Sequence, residues 1–526
     1  MSISEIVTLN NVASLLCGYP GGKELFEAII PLLSSIVLKS SHDANYRDSL
    51  AKDEELWSAI GRCSRFEQFL TNYGGKMELR FWHLRTFRGV VLLARNLCVS
   101  NQELPQNLML QYQFFRAFNS FKEGYQYDEM ELSLFKTLTE FFCNVTSKSV
   151  VFDKSCIQDV TQFLCYPIAQ NKADDVILSY TMLLRNLVAH DDFVYHFLKT
   201  DEATTVLHDF LLAKVCQDHT NIPKMINDKH GDNTELSVLG GLVMSIFMRL
   251  CSHESFAPYV ADVEKSDQDK FMDFLNLSHL ATTSSENWNN FQLTGIMTWC
   301  FRLLESLAAD VQAYFDINDE NESRAKFLHD RLLIVLDILT KLTQYEHVRK
   351  FMVFYKGVEV LVRLLHLFQE KLLRLNILQL TGQNASTLKV TFSNGVQISD
   401  SALIASRFDS TTGSIKATNF PECKLLIIET LSFLAYNNKD VQDKMRELQG
   451  LEAVLSNCVI DDNDPFIKER SIMCIKILLQ DNPENQKIVA KLESKSAVHD
   501  ETLSQAGYEV NVGKGGKIQI APPTKH

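Results

Sequence analysis

The chain has 526 residues, with 52 Lys and Arg against 65 Asp and Glu, which gives a net charge of −13 at pH 7. Glycine (21) and proline (11) together make up about 6% of the chain, half of their average usage, so the composition predicts a mostly helical protein. The negative charge and the lack of any block rich in Lys and Arg argue against nucleic acid or an anionic membrane as the main partner.

Three features of the sequence predict a cytoplasmic protein that does not insert into a membrane. The start of the chain contains Glu5 and no basic stretch, unlike a secretory signal. The longest apolar run, Val238–Met248, is too short to cross a bilayer and is closed by Arg249. The twelve cysteines are scattered without a CxxC pair, which favours buried thiols in a reducing compartment over disulfide bonds.

A helical pattern that ends in a short Leu-centred motif recurs along the chain. The last apolar residue of each copy is its anchor, and the eight anchors are Leu97, Val145, Leu187, Leu250, Leu307, Leu342, Leu434 and Leu478. The gaps between anchors are 48, 42, 63, 57, 35, 92 and 44 residues, and three of them lie close to the roughly 40–47-residue period of armadillo and HEAT repeats. The gap of 92 residues after Leu342 is about twice that period, and it leaves a degenerate repeat or an insertion as alternatives.

Two glycines predict helix ends, and three stretches of the chain interrupt the helical repeat pattern. Gly357 and Gly450 follow their anchors at nearly the same distance, and each is predicted to end a helix in the left-handed conformation. Residues 216–235 are polar and predict a loop between two lobes. Within residues 382–419 the helical period disappears and an Asn-Gly pair predicts a hairpin over Thr387–Ser399, followed by a run of disorder-like composition. The tail is predicted to be extended.

The sequence therefore predicts an all-α, armadillo- or HEAT-like helical repeat solenoid in two lobes. Its parts are an N-terminal lobe (1–215), a linker loop (216–235), middle repeats (236–381), an irregular or hairpin insertion (382–419) and a C-terminal region with an extended tail (420–526).

The segment Val454–Glu493 contains a distinctive run made of Cys458, Asp461-Asp462-Asn463, Pro465-Phe466-Ile467 and Asn485-Gln486. With these residues, the last part of the chain resembles the C-terminal signature of the ataxin-10 family. Arg470 departs from the aromatic residue usual there, and Lys476-Ile477-Leu478 departs from Arg-Asn-Leu. In physical terms, Asp462 or Asp464 is predicted to cap a helix that begins at Pro465. Its predicted apolar face is Phe466, Ile467, Ser471, Cys474, Ile475 and Leu478.

The resemblance implies a non-catalytic scaffold that binds other proteins and takes part in cytokinesis or in cell survival and morphology. Signalling proteins or a glycosyltransferase are the partners that the family suggests. One fungal branch includes a member named a copper transport protein, so copper handling is the alternative.

Motifs for chemistry are absent from the sequence. Gly18–Glu24 lacks the spacing of a phosphate loop, and no nucleophile, metalloprotease, kinase or dinucleotide motif occurs, so we expect no enzyme activity. Cu(I) selects clustered Cys and Met, whereas the nearest grouping here is Cys216, His219 and His230 in the polar loop. We therefore expect no metal and no cofactor.

A series of asparagines precedes the first three anchors: Asn96, Asn144 and Asn186, with Arg95 and Arg185 before two of them. This series resembles the armadillo consensus, in which the asparagine faces a concave groove and holds the backbone of an extended peptide. The five residues are therefore the predicted partner-binding site. The alternative is that each asparagine bonds to the loop after its own helix. The series fails at the later anchors, where Arg249, Ser306, Lys341, Phe433 and Ile477 stand instead.

Overall fold

Helices form most of the part of the chain that the structure describes, which confirms the predicted all-α repeat solenoid. The computed structural model describes residues 3–18, 22–65, 77–122, 129–147, 154–169, 176–213, 238–284, 287–317, 321–379, 386–491, 509–512 and 518–521. The chain divides into two units, Met1–Trp299 and Cys300–His526. The loop predicted at 216–235 lies outside the described residues, and the domain boundaries drawn from the sequence stay a prediction.

The first unit consists of helices. Its described elements are α1 (Ile3–Cys17), α2 (Lys23–His42), α3 (Ala44–Ala51), α4 (Glu54–Arg62), α5 (Met77–Cys98), α6 (Glu103–Asn107), α7 (Leu110–Lys122), α8 (Glu129–Val145), α9 (Lys154–Leu164), α10 (Tyr166–Ala169), α11 (Ile177–Val188), α12 (Asp191–Phe197), α13 (Glu202–Thr204), a π-helix (Thr205–Leu212), α14 (Val238–Cys251), α15 (Phe256–Ser266), α16 (Gln268–Ser284) and the first part of α17 (Asn290–Asp316).

The second unit adds short strands to its helices. Its described elements are α18 (Glu322–Leu342), α19 (Glu346–Phe354), α20 (Gly357–Lys371), β1 (Arg374–Gln379), β2 (Ser386–Thr391), α21 (Ser401–Arg407), β3 (Phe408–Asp409), β4 (Ser414–Ile415), a 3₁₀ turn (Ala417–Asn419), α22 (Cys423–Ala435), α23 (Lys439–Glu447), α24 (Gly450–Ser456), α25 (Ile467–Leu479), α26 (Pro483–Lys491), β5 (Glu509–Val512) and β6 (Ile518–Ala521).

One helix of each repeat packs against its counterpart in the next repeat, and we call these the ladder helices. In the first unit they are α2, α5, α8, α11 and α14, and in the second unit α18, α22 and α25. All eight predicted anchors are buried. Seven of them lie near the ends of α5, α8, α11, α14, α18, α22 and α25, and Leu307 lies inside α17. Burial of these anchors is the expected consequence of a repeat that buries its apolar face only against a neighbour.

The two glycines take a different role from the one predicted. Gly357 and Gly450 are the first residues of α20 and α24, and the left-handed residues are the preceding Lys356 (φ 60°) and Gln449 (φ 59°). A Cβ at Gly357 would lie 2.9 Å from the Met352 carbonyl oxygen. Glycine is therefore needed for close approach to the preceding helix, not for its backbone angle.

The long gap between Leu342 and Leu434 holds an insertion. Helices α19 and α20 occupy the places that α23 and α24 occupy in the next repeat, and the strands follow them. β1 pairs antiparallel with β2, so strand structure begins at Arg374, earlier than the sequence predicts. The predicted turn at Gly395 (φ 83°) is present and is closed by a bridge between Thr391 and Gln397.

The insertion has a small core of its own. The side chain of Asp409 orders the segment for which the composition predicts disorder. Leu373, Leu375, Val390 and Phe408 form that core. Between β3 and β4, Asp409 accepts hydrogen bonds from the Thr411 amide (2.9 Å) and the Thr412 hydroxyl (2.9 Å). The segment is therefore a closed Asx-type turn, where composition predicted disorder.

Candidate protein-binding surfaces

The predicted asparagine series joins neighbouring ladder helices. Asn96 Nδ2 donates to the Val37 carbonyl oxygen (3.2 Å) and to Ser40 Oγ (3.0 Å), both on α2. Asn144 Nδ2 donates to the Arg95 carbonyl (3.3 Å), and Asn186 Nδ2 donates to the Cys143 carbonyl (2.9 Å). Each amide thus reaches the C-terminal part of the preceding ladder helix. The Arg95 and Cys143 carbonyls are among the last four of their helices, which lack intrahelical partners. The sequence predicts that each asparagine binds a peptide in the groove or bonds to the loop after its own helix. Neither prediction includes a bond to the preceding ladder helix.

Arg249 continues the series beyond Asn186. Its Nε donates to the carbonyl oxygen of Val188 at the end of α11 (3.2 Å), and its guanidinium also pairs with Asp191. At the same position of its repeat, Arg249 thus donates the same kind of hydrogen bond as the asparagines do. A sequence pattern based on asparagine does not include this arginine, although both side chains are donors.

The five predicted residues differ in how accessible they are. Asn96 is 8% exposed, and its Oδ1 accepts from Arg95, which also pairs with Glu140. Asn144 and Asn186 are half-buried, and Arg185 is exposed. The asparagine amides are committed to contacts between repeats, while peptide binding at the five positions stays a prediction.

The C-terminal signature builds a buried ionic cluster. Lys424 Nζ lies 2.7 Å from Asp461 Oδ2 and 3.2 Å from Asp464 Oδ2, and all three side chains are at most 1% exposed. Burial disfavours the charge on Lys424, but the two carboxylates outweigh it and hold the pKa of its ammonium group above the ordinary value. Burial raises the pKa of the Asp464 carboxyl against the pull of Lys424. Charges this deeply buried persist only when paired and hydrogen-bonded.

The same signature residues connect the insertion to α22. Asp461 Oδ1 accepts from the Leu375 amide (3.1 Å), and Asp464 Oδ1 accepts from the Leu425 amide (3.1 Å). Asn419 Nδ2 donates to Asn463 Oδ1 (2.7 Å). The signature therefore fixes three segments that are distant in sequence.

The predicted start of the last ladder helix is wrong. Helix α25 begins at Ile467, after Phe466 in the left-handed conformation (φ 68°), and no side chain caps it. Asp464 instead satisfies an amide in the first turn of α22, and its carboxylate is held there by Lys424. The partner of this aspartate lies 39 residues earlier in the chain, so a local capping rule does not find it.

Helices α22 and α25 run parallel with their side chains in register. Arg470 lies 3.7 Å from Glu429, and the Cys474 thiol is hydrogen-bonded to Ser432. Both contacts advance together along the two helices, so Phe433 near the end of α22 and Tyr436 just after it lie at the level of residues 474–478 of α25. Arg470, which departs from the family pattern, thus forms an ion pair across the two helices.

An exposed apolar surface follows from this register. Phe433 (38% exposed), Tyr436 (56%) and Met473 (55%) lie on the solvent side with the half-buried Ile477, and we call these four residues the apolar strip. Phe433 and Ile477 occupy the position before the anchor, where the first unit has asparagine. The sequence signal for this surface is the loss of asparagine at these two positions. The residue pattern alone does not show that the apolar replacements face solvent.

The described residues contain no metal-binding cluster, and one of their helices is long and apolar enough to span a membrane. Within the described ranges, no group of three or more His, Cys, Asp or Glu is placed to hold a metal ion. Cys216, His219 and His230 lie outside the described residues. Helix α2 is long and apolar enough to cross a membrane by length and composition, with 22% of its apolar window buried, and it packs against α5.

Comparison with known proteins identifies the family. An ataxin-10 homolog of Candida glabrata is 40% identical over 518 residues, which cover 97% of this chain and 98% of that protein. An ataxin-10 homolog of Saccharomyces cerevisiae is 34% identical over 98% of this chain and 95% of that protein. The chain belongs to the ataxin-10 family. The resemblance seen in the signature residues is thereby confirmed and extends over nearly the whole chain.

Similarity to the human member is confined to a shorter part. Human ataxin-10 is 39% identical over 92 residues, which are 18% of this chain and 19% of the human protein. The family model described as the spinocerebellar ataxia type 10 protein domain matches residues 423–521. This ataxin-10 domain begins at α22 and contains the ionic cluster residues Lys424, Asp461 and Asp464 and the whole apolar strip.

Proposed function

We propose that this ataxin-10 family member is a non-catalytic scaffold that binds a protein partner through the apolar strip. The observation that carries the proposal is the exposure of Phe433 and Tyr436, at the end of α22, and of Met473 on α25, the helix that packs against α22. Aromatic residues and methionine are enriched in the buried centres of protein interfaces. The buried cluster around Lys424 fixes the elements that support the strip, so a partner meets a rigid surface.

The shape of the strip suits a helical or extended peptide segment of the partner. Two parallel helices leave a shallow groove between them, and an amphipathic segment laid along such a groove contacts alternate rows of side chains. The ion pair between Arg470 and Glu429 borders the strip and supplies a polar rim. An apolar centre with a polar rim is the usual composition of such interfaces.

Affinity purification with two variants tests this proposal. The double variant Phe433→Ala/Met473→Ala should lose its bound protein, because truncation of a central aromatic typically costs about 2 kcal/mol or more of binding. The control Ile472→Ala changes a face of the same helix that lies about 100° around the axis from Met473 and outside the strip, so it should retain the protein. Loss of the same protein from both variants, or from neither, would overturn the strip as its binding site.

The cellular role belongs to the same proposal. We propose that the scaffold acts in the cytoplasm and contributes to cytokinesis, as the family resemblance implies. The eleven described cysteines are all free thiols, which suits a reducing compartment. Replacing the Saccharomyces cerevisiae relative with this chain, and then with its strip variant, tests the role by the fraction of cells that complete division.

A further inference from the structure

Helix α25 is the last ladder helix that the structure describes, and it has a second apolar face. Ile472 is 52% exposed, and Ile475 and Leu479 are half-buried. The spacing of three and four residues places them in one row along the helix. We call this row the terminal stripe. Met473, which belongs to the apolar strip, lies on a different side of α25.

The terminal stripe repeats a surface that is covered one repeat earlier. The anchors of α22 and α25 are 44 residues apart, so the counterparts of the stripe are Ile428, Leu431 and Ala435. All three are 0% exposed. Ser432, which lies among them, contacts Cys474 of α25, so α25 is the element that covers this side of α22. The stripe on α25 is therefore a surface shaped to receive another element, and solenoids need such a last surface to be capped.

The end of the chain supplies an occupant. In the described C-terminal strands, β5 pairs with β6 so that Val510 stands opposite Ile520 and Val512 opposite Ile518. Opposed residues lie on one face of a hairpin, so these four apolar positions share a face. A two-stranded hairpin alone is marginally stable in water, and it gains stability by packing against a helix.

We propose that residues 509–521 of this chain dock on the terminal stripe and cap the solenoid. The ataxin-10 domain extends to residue 521, so the hairpin belongs to the same family region as α25. In sequence, α26 follows α25 and residues 492–508 connect α26 to the hairpin; a chain of that length reaches at most about 55 Å. Because this short connection gives the tail a high effective concentration, the cis occupant outcompetes a second copy of the chain at ordinary concentrations.

Hydrogen–deuterium exchange of the full chain tests the docking. Ile472→Glu and Ile520→Glu should each speed exchange of the 509–521 amides by about tenfold or more, because the hairpin loses its support. The matched controls Met473→Glu and Gln519→Glu change neighbouring positions on the other faces and should leave exchange unchanged. A benzophenone amino acid at position 472 should crosslink to the tail within one chain, whereas the same group at position 473 should not.

Three results would overturn the docking of the tail on the terminal stripe. Unchanged exchange in Ile472→Glu, or no crosslink from position 472 to the tail, would overturn the docking. A dimer of the wild-type chain that Ile472→Glu dissociates would show that a second copy covers the stripe and would also overturn it. None of these measurements involves the partner of the apolar strip, so their outcome is independent of the proposed scaffold function.

Discussion

The ammonium group of Lys424 lies 2.7 Å from the carboxylate of Asp461, and neither side chain is more than 1% exposed. This pair connects the first turn of α22 to the signature segment before α25. Asp464 completes the cluster at 3.2 Å from the same ammonium group. A single cation thus holds two buried carboxylates, so the three side chains depend on one another.

Replacement of Lys424 by methionine should be strongly destabilising. Lys424→Met leaves Asp461 and Asp464 buried without their cation, and breaking such a pair costs about 3–5 kcal/mol of unfolding free energy. Asp464→Asn keeps an acceptor for the Leu425 amide and leaves one carboxylate for Lys424, so a loss of about 1–3 kcal/mol is expected. Urea denaturation of both variants measures the difference. Equal losses would contradict a shared cation.

Loss of an asparagine between ladder helices should cost stability. Asn96→Ala removes hydrogen bonds to Val37 and Ser40 at a buried site, and we expect a loss of about 1–3 kcal/mol in unfolding free energy. Arg185→Ala, at an exposed position of the same predicted series, should stay within about ±0.5 kcal/mol. Thermal unfolding compares the two variants. A stable Asn96→Ala protein would remove the structural role assigned to this amide.

His83 should make the first unit sensitive to acid. It is buried against Phe26, with ring centroids 6.2 Å apart, and burial lowers its pKa from 6.5 to about 3. Because the unfolded chain then binds a proton more readily than the folded chain, stability is complete above about pH 6.5 and falls as the pH drops toward 3. His83→Phe should show a shallower fall in the same range. Parallel curves of unfolding free energy against pH for the two proteins would refute this.

A methyl group at Gly357 should not be tolerated. The added Cβ would lie 2.6 Å from Met352 Cε and 2.9 Å from its carbonyl oxygen, so Gly357→Ala should cost about 1–3 kcal/mol. Gly241 in α14 is a matched control, because no described atom lies within 4 Å of its added Cβ. Gly241→Ala should stabilise the helix by up to about 1 kcal/mol. Differential scanning calorimetry distinguishes a fall from a rise in melting temperature.

The repeat architecture was predictable because its signal is local. The apolar period around Leu97, Leu187 and Leu434 depends on residues within one helix, and all three anchors are buried. The hairpin turn at Gly395 was predictable for the same reason, since an Asn-Gly pair specifies its own backbone angles.

The polar contacts were not predictable because their partners are distant in sequence. Asp464 was expected to cap the helix that follows it, but its oxygen accepts from Leu425, 39 residues earlier. Asn186 reaches Cys143, 43 residues earlier. The apolar strip was missed for a related reason: the sequence identifies Phe433 as apolar but does not show which side of α22 remains uncovered.

Calorimetric titration of the purified partner tests most directly whether the apolar strip binds a protein. The partner recovered with the wild-type chain should bind Phe433→Ala/Met473→Ala with a Kd at least about tenfold higher, since each 1.4 kcal/mol of lost binding is a factor of ten. The two proteins should have the same melting temperature. An unchanged Kd for the double variant would contradict the claim.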